Sequence, residues 1–242
     1  VIYAGVDYEA ILRQAEKEAD VILWDGGNND FSFYIPDLQI TVADPLRAGN
    51  EVSFYPGEVC LRTAHVVIIN KIDSASPEQV QIVRDNIART NPSAIVIDGA
   101  SPITVDRPEL IRGKRVLCVE DGPTLTHGMM KFGAGVVAAR KFQASQLIDP
   151  RPYLSGGLKQ TFNTYPDIGT LLPAMGYSET QKRDLEDTIN RTDCETVIIA
   201  TPIDLNRIIH INKPTVRVDY ELQEIGSPNL DEVLEDFCKR KL

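Results

Sequence analysis

Short, uninterrupted apolar runs alternate with amphipathic segments along almost the whole of this 242-residue chain. Apolar runs of about four to eight residues are typical of strands in a parallel sheet that is covered on both faces. The amphipathic segments carry apolar residues at helical spacing. This alternation predicts an α/β protein with a doubly wound, mostly parallel sheet. The predicted strands are residues 21–24, 38–43, 66–69, 94–97, 116–119, 197–200 and 215–218, and a further strand-like segment opens the chain at residues 1–4.

Three predicted helices begin at recognisable capping residues. Asp7 precedes an amphipathic segment, and its side chain is suited to accept from amides of the first turn. Ser76 is followed by Gln79, and Ser178 by Gln181, at the spacing of a reciprocal capping box. Further helices with one apolar face are predicted at residues 134–142 and 230–237.

The composition is that of an acidic globular protein. Asp and Glu total 35 against 25 Lys and Arg, a formal net charge of -10. This balance argues against nucleic acid as a partner, because binding to a phosphate backbone is driven by excess Lys and Arg. The four cysteines form no C-x-x-C pair, so the sequence supports neither a zinc ribbon nor a thiol redox motif. No apolar stretch reaches membrane-spanning length and no signal peptide is visible, so we expect a cytoplasmic protein without a membrane partner, compatible with a homo-oligomer.

The predicted strand at residues 21–24 runs directly into Asp25, Gly26 and Gly27. An Asp at the carboxyl end of such a strand lies where α/β proteins bind their ligands. In P-loop proteins this Asp holds Mg²⁺, and the glycines let the backbone approach the γ-phosphate. An Asp-Gly pair after a strand is also an ordinary turn, so this motif alone leaves both interpretations open.

Asn70-Lys71-Ile72-Asp73 ends another apolar run. An N-K-x-D at this place is typical of the base-recognition element of GTPases, in which the Asp carboxylate accepts from guanine and the Lys stem covers the ring. The alternative is a turn that leads into the helix near Ser76. The order of the two motifs, with one predicted strand between them, favours a nucleotide-binding domain of the P-loop type over residues 1–112.

No G-x-x-x-x-G-K-[ST] phosphate-binding loop occurs in the sequence. In the P-loop NTPase fold this loop precedes the metal-binding Asp, so we expect the fold to be incomplete at its N-terminus. An upstream P-loop half is expected in the same or another chain, with little catalysis by this chain alone. Residues 113–242 are predicted to form a C-terminal α/β portion, which either is separate or continues the same sheet.

Charged and hydroxyl side chains in loops near the predicted strands supply further candidates. Arg is suited to forked contacts with phosphate, although exposed ion pairing is its commoner role. A loop His either relays protons or makes a structural hydrogen bond. The candidate substrate-binding residues are Arg47, Arg62, Asp121, Thr124 and Arg151, and Glu58 and His127 join Asp25 as candidate catalytic residues.

Several longer blocks resemble the cyclic 2,3-diphosphoglycerate synthetase family, which is also labelled as predicted GTPases. The similarity runs from Val1 to about Leu222. Members of the family are longer and carry a Gly-Lys-Ser P-loop upstream. This chain has Tyr55 where the family has a His before Pro-Gly-Glu. The blocks are residues 3–8, 24–31, 70–73, 119–128 and 172–178.

The resemblance implies an ATP-dependent ligase that closes an intramolecular phosphoanhydride between the two phosphates of 2,3-bisphosphoglycerate. Asp25 would then serve Mg²⁺, and Asn70, Lys71 and Asp73 the base. Catalysis would rest on positioning, Mg²⁺ and basic groups around a phosphorylated small-molecule substrate. The resemblance favours ATP, whereas the N-K-x-D pattern favours GTP as the alternative. The rival functions are a GTP-dependent switch and a non-catalytic nucleotide-binding module.

Overall fold

The computed structural model describes residues 1–26, 32–126 and 131–241. The chain forms two compact units, one of Val1–Pro102 together with Leu222–Leu242 and one of Ile103–Glu221. The second unit is therefore inserted into the first, and the chain passes between them twice.

Helices and strands alternate along both units. Among the described residues no helix is long and apolar enough to cross a membrane. The helices are α1 (Tyr8–Ala15), α2 (Asn50–Ser53), α3 (Gly57–Thr63), α4 (Pro77–Thr90), α5 (Gly122–Thr126), α6 (Ala134–Lys141), α7 (Leu158–Thr164), α8 (Glu179–Arg191) and α9 (Leu230–Lys241). The strands are β1 (Ile40–Ala43), β2 (Val66–Ile69), β3 (Ile95–Ala100), β4 (Ile103–Val105), β5 (Arg115–Asp121), β6 (Gln146–Leu147), β7 (Leu172–Ala174), β8 (Thr196–Ala200), β9 (Thr215–Tyr220) and β10 (Gln223–Ile225). Short 3-10 helices lie at Pro45–Arg47, Pro108–Leu110, Arg151–Tyr153 and Leu205–Arg207.

The first unit is built on a four-stranded sheet in the order β1-β2-β3-β10. Strands β1, β2 and β3 are parallel, and β10 pairs with β3 in the antiparallel direction. Leu61 of α3 and Val83 of α4 pack on one face, over Val67 of β2. Val233 of α9 packs on the opposite face, over Ile97 of β3. A sheet covered on both faces explains why β2 is apolar at every position.

The second unit has a sheet in the order β4-β9-β8-β5-β6, and β7 also pairs with β5. All pairs in it are parallel except that of β4 with β9. Strands β6 and β7 pair with the two ends of one edge of β5, and β8 pairs with its other edge. After β5 the chain therefore adds strands first on one side of β5 and then on the other. In open α/β sheets a reversal of this kind creates a crevice at the carboxyl ends of the strands.

The structure confirms the predicted fold class, an α/β protein with mostly parallel sheets. The three predicted caps are also present. The side chain of Asp7 accepts from the amide of Ala10 at 3.0 Å. Ser76 with Gln79, and Ser178 with Gln181, form reciprocal capping boxes at the starts of α4 and α8. Because each cap depends on neighbours within four residues, local sequence was enough to predict it.

Two strand predictions near the start of the chain are wrong. Residues 1–4 and 21–24 have no regular secondary structure, and Leu23 is 88% exposed. Trp24 is held by aromatic contacts, with ring centroids 5.4 Å from Tyr8 and 5.2 Å from Tyr34. A strand needs a neighbour that pairs with its backbone amides. Within the described ranges no strand pairs with either segment.

The contact between α9 and the first sheet is testable at two positions of β3. Ile97 is fully buried beneath α9, whereas Ile95 on the same face of the strand is 42% exposed. Ile97→Ala should lower the free energy of unfolding of the first unit by about 3 kcal/mol, because it leaves a cavity. Ile95→Ala should cost about 1 kcal/mol or less. Urea unfolding followed by the fluorescence of Trp24, the single tryptophan, measures both. Equal losses would contradict this packing.

Candidate functional site

Polar residues follow all three parallel strands of the first unit at their carboxyl ends. Asp44 follows β1, residues 70–73 follow β2, and Ser101 follows β3. Because parallel strands end at a common edge, these side chains share one edge of the sheet. The predicted base-recognition motif therefore lies where α/β sheets bind ligands.

Asn70 is fixed by two hydrogen bonds to its amide oxygen. The Oδ1 atom accepts from the hydroxyl of Ser101 at 2.8 Å and from the backbone N–H of Lys71 at 2.8 Å. Since the backbone group can only donate, the orientation of the amide is determined. Its Nδ2 group is left to donate to another acceptor.

Asp73 is attached to the end of β3 through one carboxylate oxygen. Its Oδ1 accepts from the backbone N–H of Ser101 at 3.0 Å. A second link runs from the N–H of Ile72 to the carbonyl of Gly99 at 3.1 Å. The residue itself is exposed, so the anchored carboxylate presents Oδ2 towards solvent as an acceptor, with the Ser74 hydroxyl 3.5 Å away.

Lys71 has a left-handed backbone, with φ of 57°. That conformation costs a non-glycine residue roughly 1–2 kcal/mol and persists only where surrounding contacts hold it. Here the contacts include the bond from its amide to Asn70 and a 2.8 Å ion pair from its Nζ to the Oδ2 of Asp44. Arg47 approaches the same oxygen at 3.4 Å. The strained turn thus brings the Lys71 side chain towards the loop that follows β1.

Ser101 and Asp44 were not among the predicted site residues. The strand prediction stopped at residue 97, whereas β3 continues to Ala100, so Ser101 was not recognised as the residue that follows a strand. Asp44 directly follows an apolar run, and this signal was present in the sequence. The structure brings both residues together with Asn70, Lys71 and Asp73.

The predicted metal site is only partly described. Asp25 and Gly26 are exposed and lie outside any strand. Gly27 falls outside the described residues. Within the described ranges no group of three or more His, Cys, Asp or Glu side chains could hold a metal ion. A single carboxylate still suits Mg²⁺ that retains waters and binds phosphate oxygens, which is the usual mode for this ion.

The predicted basic groups lie in separate places. Arg62 pairs with Glu58 at 2.6 Å on α3, which leads into the amino end of β2, the end opposite to Asn70. Arg151 lies in the second unit, where it pairs with Asp149 at 3.0 Å and stacks over the ring of Phe162. Of the predicted arginines, Arg47 alone contacts the cluster around Asp44.

A second group of polar residues lies at the carboxyl ends of β5 and β8 in the second unit. Asp121 ends β5, and Thr201, which directly follows β8, is buried. Tyr177 hydrogen-bonds Thr201, and burial raises the pKa of its phenol. His127 lies outside the described residues, and the side chain of Thr124 is likewise outside what the structure describes.

Glu120 is the buried carboxylate of this group, with 2% exposure. Its Oε1 accepts from the backbone N–H of Val136 at 2.9 Å and of Gly133 at 3.2 Å, at the start of α6. A Cβ at Gly133 would lie only 2.5 Å from its Oε2, so glycine lets the backbone approach the carboxylate. Burial is the main cause that raises the pKa of Glu120, and the hydrogen bonds oppose that rise.

We predict that Glu120 makes the stability of the second unit depend on pH. A carboxyl group whose pKa is raised in the folded state stabilises the fold at a pH below its unfolded pKa of about 4.3. This contribution is lost as the pH rises through the pKa of the folded state. Glu120→Gln keeps an acceptor at Oε1 and cannot titrate. The stability of the wild type relative to this variant should therefore fall above about pH 4.3, and then level off. Calorimetric unfolding at a series of pH values measures it, and a constant difference would contradict it.

Glu120→Ala removes the acceptor altogether. It leaves the buried amide of Val136 and the partly buried amide of Gly133 unpaired, so it should cost about 2–4 kcal/mol below about pH 4.3 and less at higher pH, where the wild type loses the contribution of Glu120. Calorimetric unfolding of this variant supplies the measurement. A loss below about 1 kcal/mol would show that the amides find other partners.

Comparisons with known proteins place these features in a wider context. No protein-family model matches the chain. Arginine synthetase ArcE from Thermococcus kodakarensis is 62% identical to it over 239 residues, which is 99% of this chain and 53% of that protein. The chain thus spans about half the length of the curated relative that it matches, and the similarity extends through both compact units.

Proposed function

We propose that this chain is the base-binding part of a nucleotide-dependent synthetase that forms arginine. The observation that carries the proposal is the cluster of Asn70, Lys71, Asp73 and Ser101 at the carboxyl edge of the first sheet. The identity of 62% to an arginine synthetase supports both the reaction class and its product. The activity belongs to the longer protein, and this chain supplies recognition of the base.

Each residue of the cluster has a role that its geometry supports. The exposed carboxylate of Asp73 accepts hydrogen bonds from ring or exocyclic N–H groups of a purine. Asn70, whose oxygen is already used, donates from Nδ2 to a ring nitrogen. The aliphatic stem of Lys71 covers one face of the base while its Nζ is held by Asp44. Because the groups are fixed before the nucleotide binds, little side-chain entropy is lost on binding.

ATP is the nucleotide that we propose first. The chain resembles an ATP-dependent family, and adenine offers an exocyclic amine to Asp73 and ring acceptors to Asn70. GTP is the second candidate, because a carboxylate at this place can accept from both N1–H and the 2-amino group of guanine.

We propose arginine, and not 2,3-bisphosphoglycerate, as the small molecule that this chain binds. 2,3-Bisphosphoglycerate is the substrate that the family resemblance implies. A bisphosphate requires several basic groups close together. Arg62 and Arg151 each have a carboxylate partner in their own unit. At the carboxyl end of β5 the charged groups are Glu120 and Asp121, and Asp121 has the charge that complements a guanidinium group.

The phosphates of the nucleotide would be held by a polypeptide that carries a phosphate-binding loop, in the same or another chain. Mg²⁺ would accompany them, with Asp25 as a candidate ligand. The ion supplies charge neutralisation at the transferring phosphoryl group. The residues of this chain contribute by fixing the base, so that the phosphates extend in one direction along the sheet edge.

The base site is tested by calorimetric titration of this chain and of the full-length Thermococcus kodakarensis relative with Mg²⁺ and ATP, GTP or xanthosine triphosphate. We expect ATP to bind best, and more tightly to the longer protein. Asp73→Asn should lower the affinity about tenfold or more, since a bond to a charged acceptor is lost. Asp85→Asn, at an exposed carboxylate on α4, is the matched control and should bind like the wild type.

Two outcomes would change the assignment. Preference for GTP, with Asp73→Asn gaining affinity for xanthosine triphosphate, would select guanine, because Asn donates to the carbonyl that replaces the 2-amino group. Failure of both proteins to bind any nucleotide would reject the base site.

The small molecule of the reaction is tested separately by thermal unfolding of this chain with arginine, the proposed product, or with 2,3-bisphosphoglycerate. Arginine should raise the melting temperature through preferential binding to the folded state, and bisphosphoglycerate should not. Asp121→Asn should reduce the shift, whereas Asp167→Asn, at an exposed carboxylate of the same unit, should preserve it. A shift with bisphosphoglycerate alone would support the phosphoanhydride ligase in place of the arginine synthetase.

A further inference from the structure

A hydrogen bond between two loops crosses the carboxyl end of β5 in the second unit. β5 lies between β7 and β8 and pairs with each of them up to its last residue. Tyr177 lies in the loop from β7 to α8, and Thr201 directly follows β8. The side chains of these two residues are hydrogen-bonded to each other. Because two strand spacings, roughly 10 Å, separate β7 from β8, this bond passes over the end of β5.

Asp121, the last residue of β5, lies at this crossing. Successive side chains of a strand point to opposite faces of the sheet. Glu120 points towards α6, whose first amides donate to it, so Asp121 points to the other face. The loop after β7 lies against the next residue, since a Cβ at Gly122 would be 2.5 Å from the carbonyl oxygen of Ala174.

Thr201 determines the direction of the hydrogen bond. Its buried hydroxyl donates to the carbonyl of Ile203 at 2.7 Å. A hydroxyl has one hydrogen, so Thr201 accepts from Tyr177, and the phenolic hydrogen is used in this bond. Burial is the main cause that raises the pKa of Tyr177, and the charge of Asp121 adds to it. The phenol is therefore neutral at neutral pH, and its oxygen is presented as an acceptor.

A carboxylate and a phenolic oxygen at one strand end are acceptors of two kinds. The pair suits a planar cation whose N–H groups point in several fixed directions, which describes a guanidinium group. A primary ammonium is a compact and strongly hydrated charge that the carboxylate alone can pair with. Removing it from water beside a partly buried ring costs more than removing a guanidinium.

We propose that Tyr177, oriented by Thr201, is the residue by which the second unit selects a guanidinium group over a primary ammonium. Asp121 supplies the opposite charge, and the oxygen of Tyr177 accepts an N–H that the carboxylate leaves unpaired. Thr201 is a positioning residue, because it acts through the phenol. This inference rests on the proposed function, in which arginine binds beside Asp121, and it adds the source of the selectivity.

The test is calorimetric titration of this chain with arginine and with lysine, with the full-length Thermococcus kodakarensis relative titrated beside it. We expect the wild type to bind arginine at least about tenfold more tightly than lysine. Tyr177→Phe keeps the ring and removes the acceptor, so it should weaken arginine about tenfold and change lysine by about twofold or less. Tyr165→Phe, at another partly buried tyrosine of the same unit, is the matched control and should bind both ligands like the wild type.

Two substitutions at Thr201 test its positioning role. Thr201→Ser keeps the hydroxyl and should preserve the preference for arginine. Thr201→Val keeps the shape and removes the partner of the phenol, so it should weaken arginine about fivefold and leave lysine nearly unchanged. Thermal unfolding without ligand shows whether each variant is folded. Equal loss of arginine and lysine in folded Thr201→Val would mean that Thr201 has only a structural role, and it would overturn this assignment.

The remaining outcomes separate the inference from the proposed function. If arginine binds and Tyr177→Phe behaves like the wild type with both ligands, Tyr177 does not select the head group, and the inference fails while arginine binding stands. Equal affinity of the wild type for arginine and lysine would overturn the inference in the same way. If arginine binds neither this chain nor the longer protein, both the inference and the proposed arginine site are rejected.

Discussion

The pair of hydrogen bonds from Ser101 to Asn70 and Asp73 determines the geometry of the candidate base site. One bond comes from a hydroxyl and the other from a backbone N–H, so a single residue at the end of β3 orients both candidate side chains after β2. The left-handed backbone of Lys71 depends on the same arrangement, because the Asn70 oxygen that Ser101 binds also accepts from the Lys71 amide. Preorganisation of this kind is what recognition of a planar base requires.

Local patterns in the sequence predicted those parts of the fold that local interactions determine. The caps at Asp7, Ser76 and Ser178 depend on neighbours one turn away, and the apolar runs of the parallel strands depend on burial of both faces. Residues 21–24 show the limit of this reasoning. Their composition suits a strand, but strand formation requires a pairing partner, and composition alone does not provide one.

For the same reason, only part of the candidate site was predicted from the sequence. The N-K-x-D motif identified three residues of the cluster, because its chemistry is contained in four consecutive positions. Ser101 reaches the site only through the parallel pairing of β2 with β3. After Glu221 the chain returns to the first unit and places α9 against its sheet. This packing likewise depends on tertiary contacts. Glu120 lies in the block at residues 119–128 that carries the family resemblance, but its role as the acceptor for the start of α6 depends on burial and is not predicted by that block.

Among the described residues, the sheet of the first unit has no strand beside the outer edge of β1. Its interior strand β2 is buried at every position, and β3 is closed at its outer edge by β10. β1 combines an unpaired edge with exposed β-branched side chains. A sheet of this kind gains both hydrogen bonds and apolar burial from one added parallel strand, whereas a covering helix would satisfy the face and leave the edge amides unpaired.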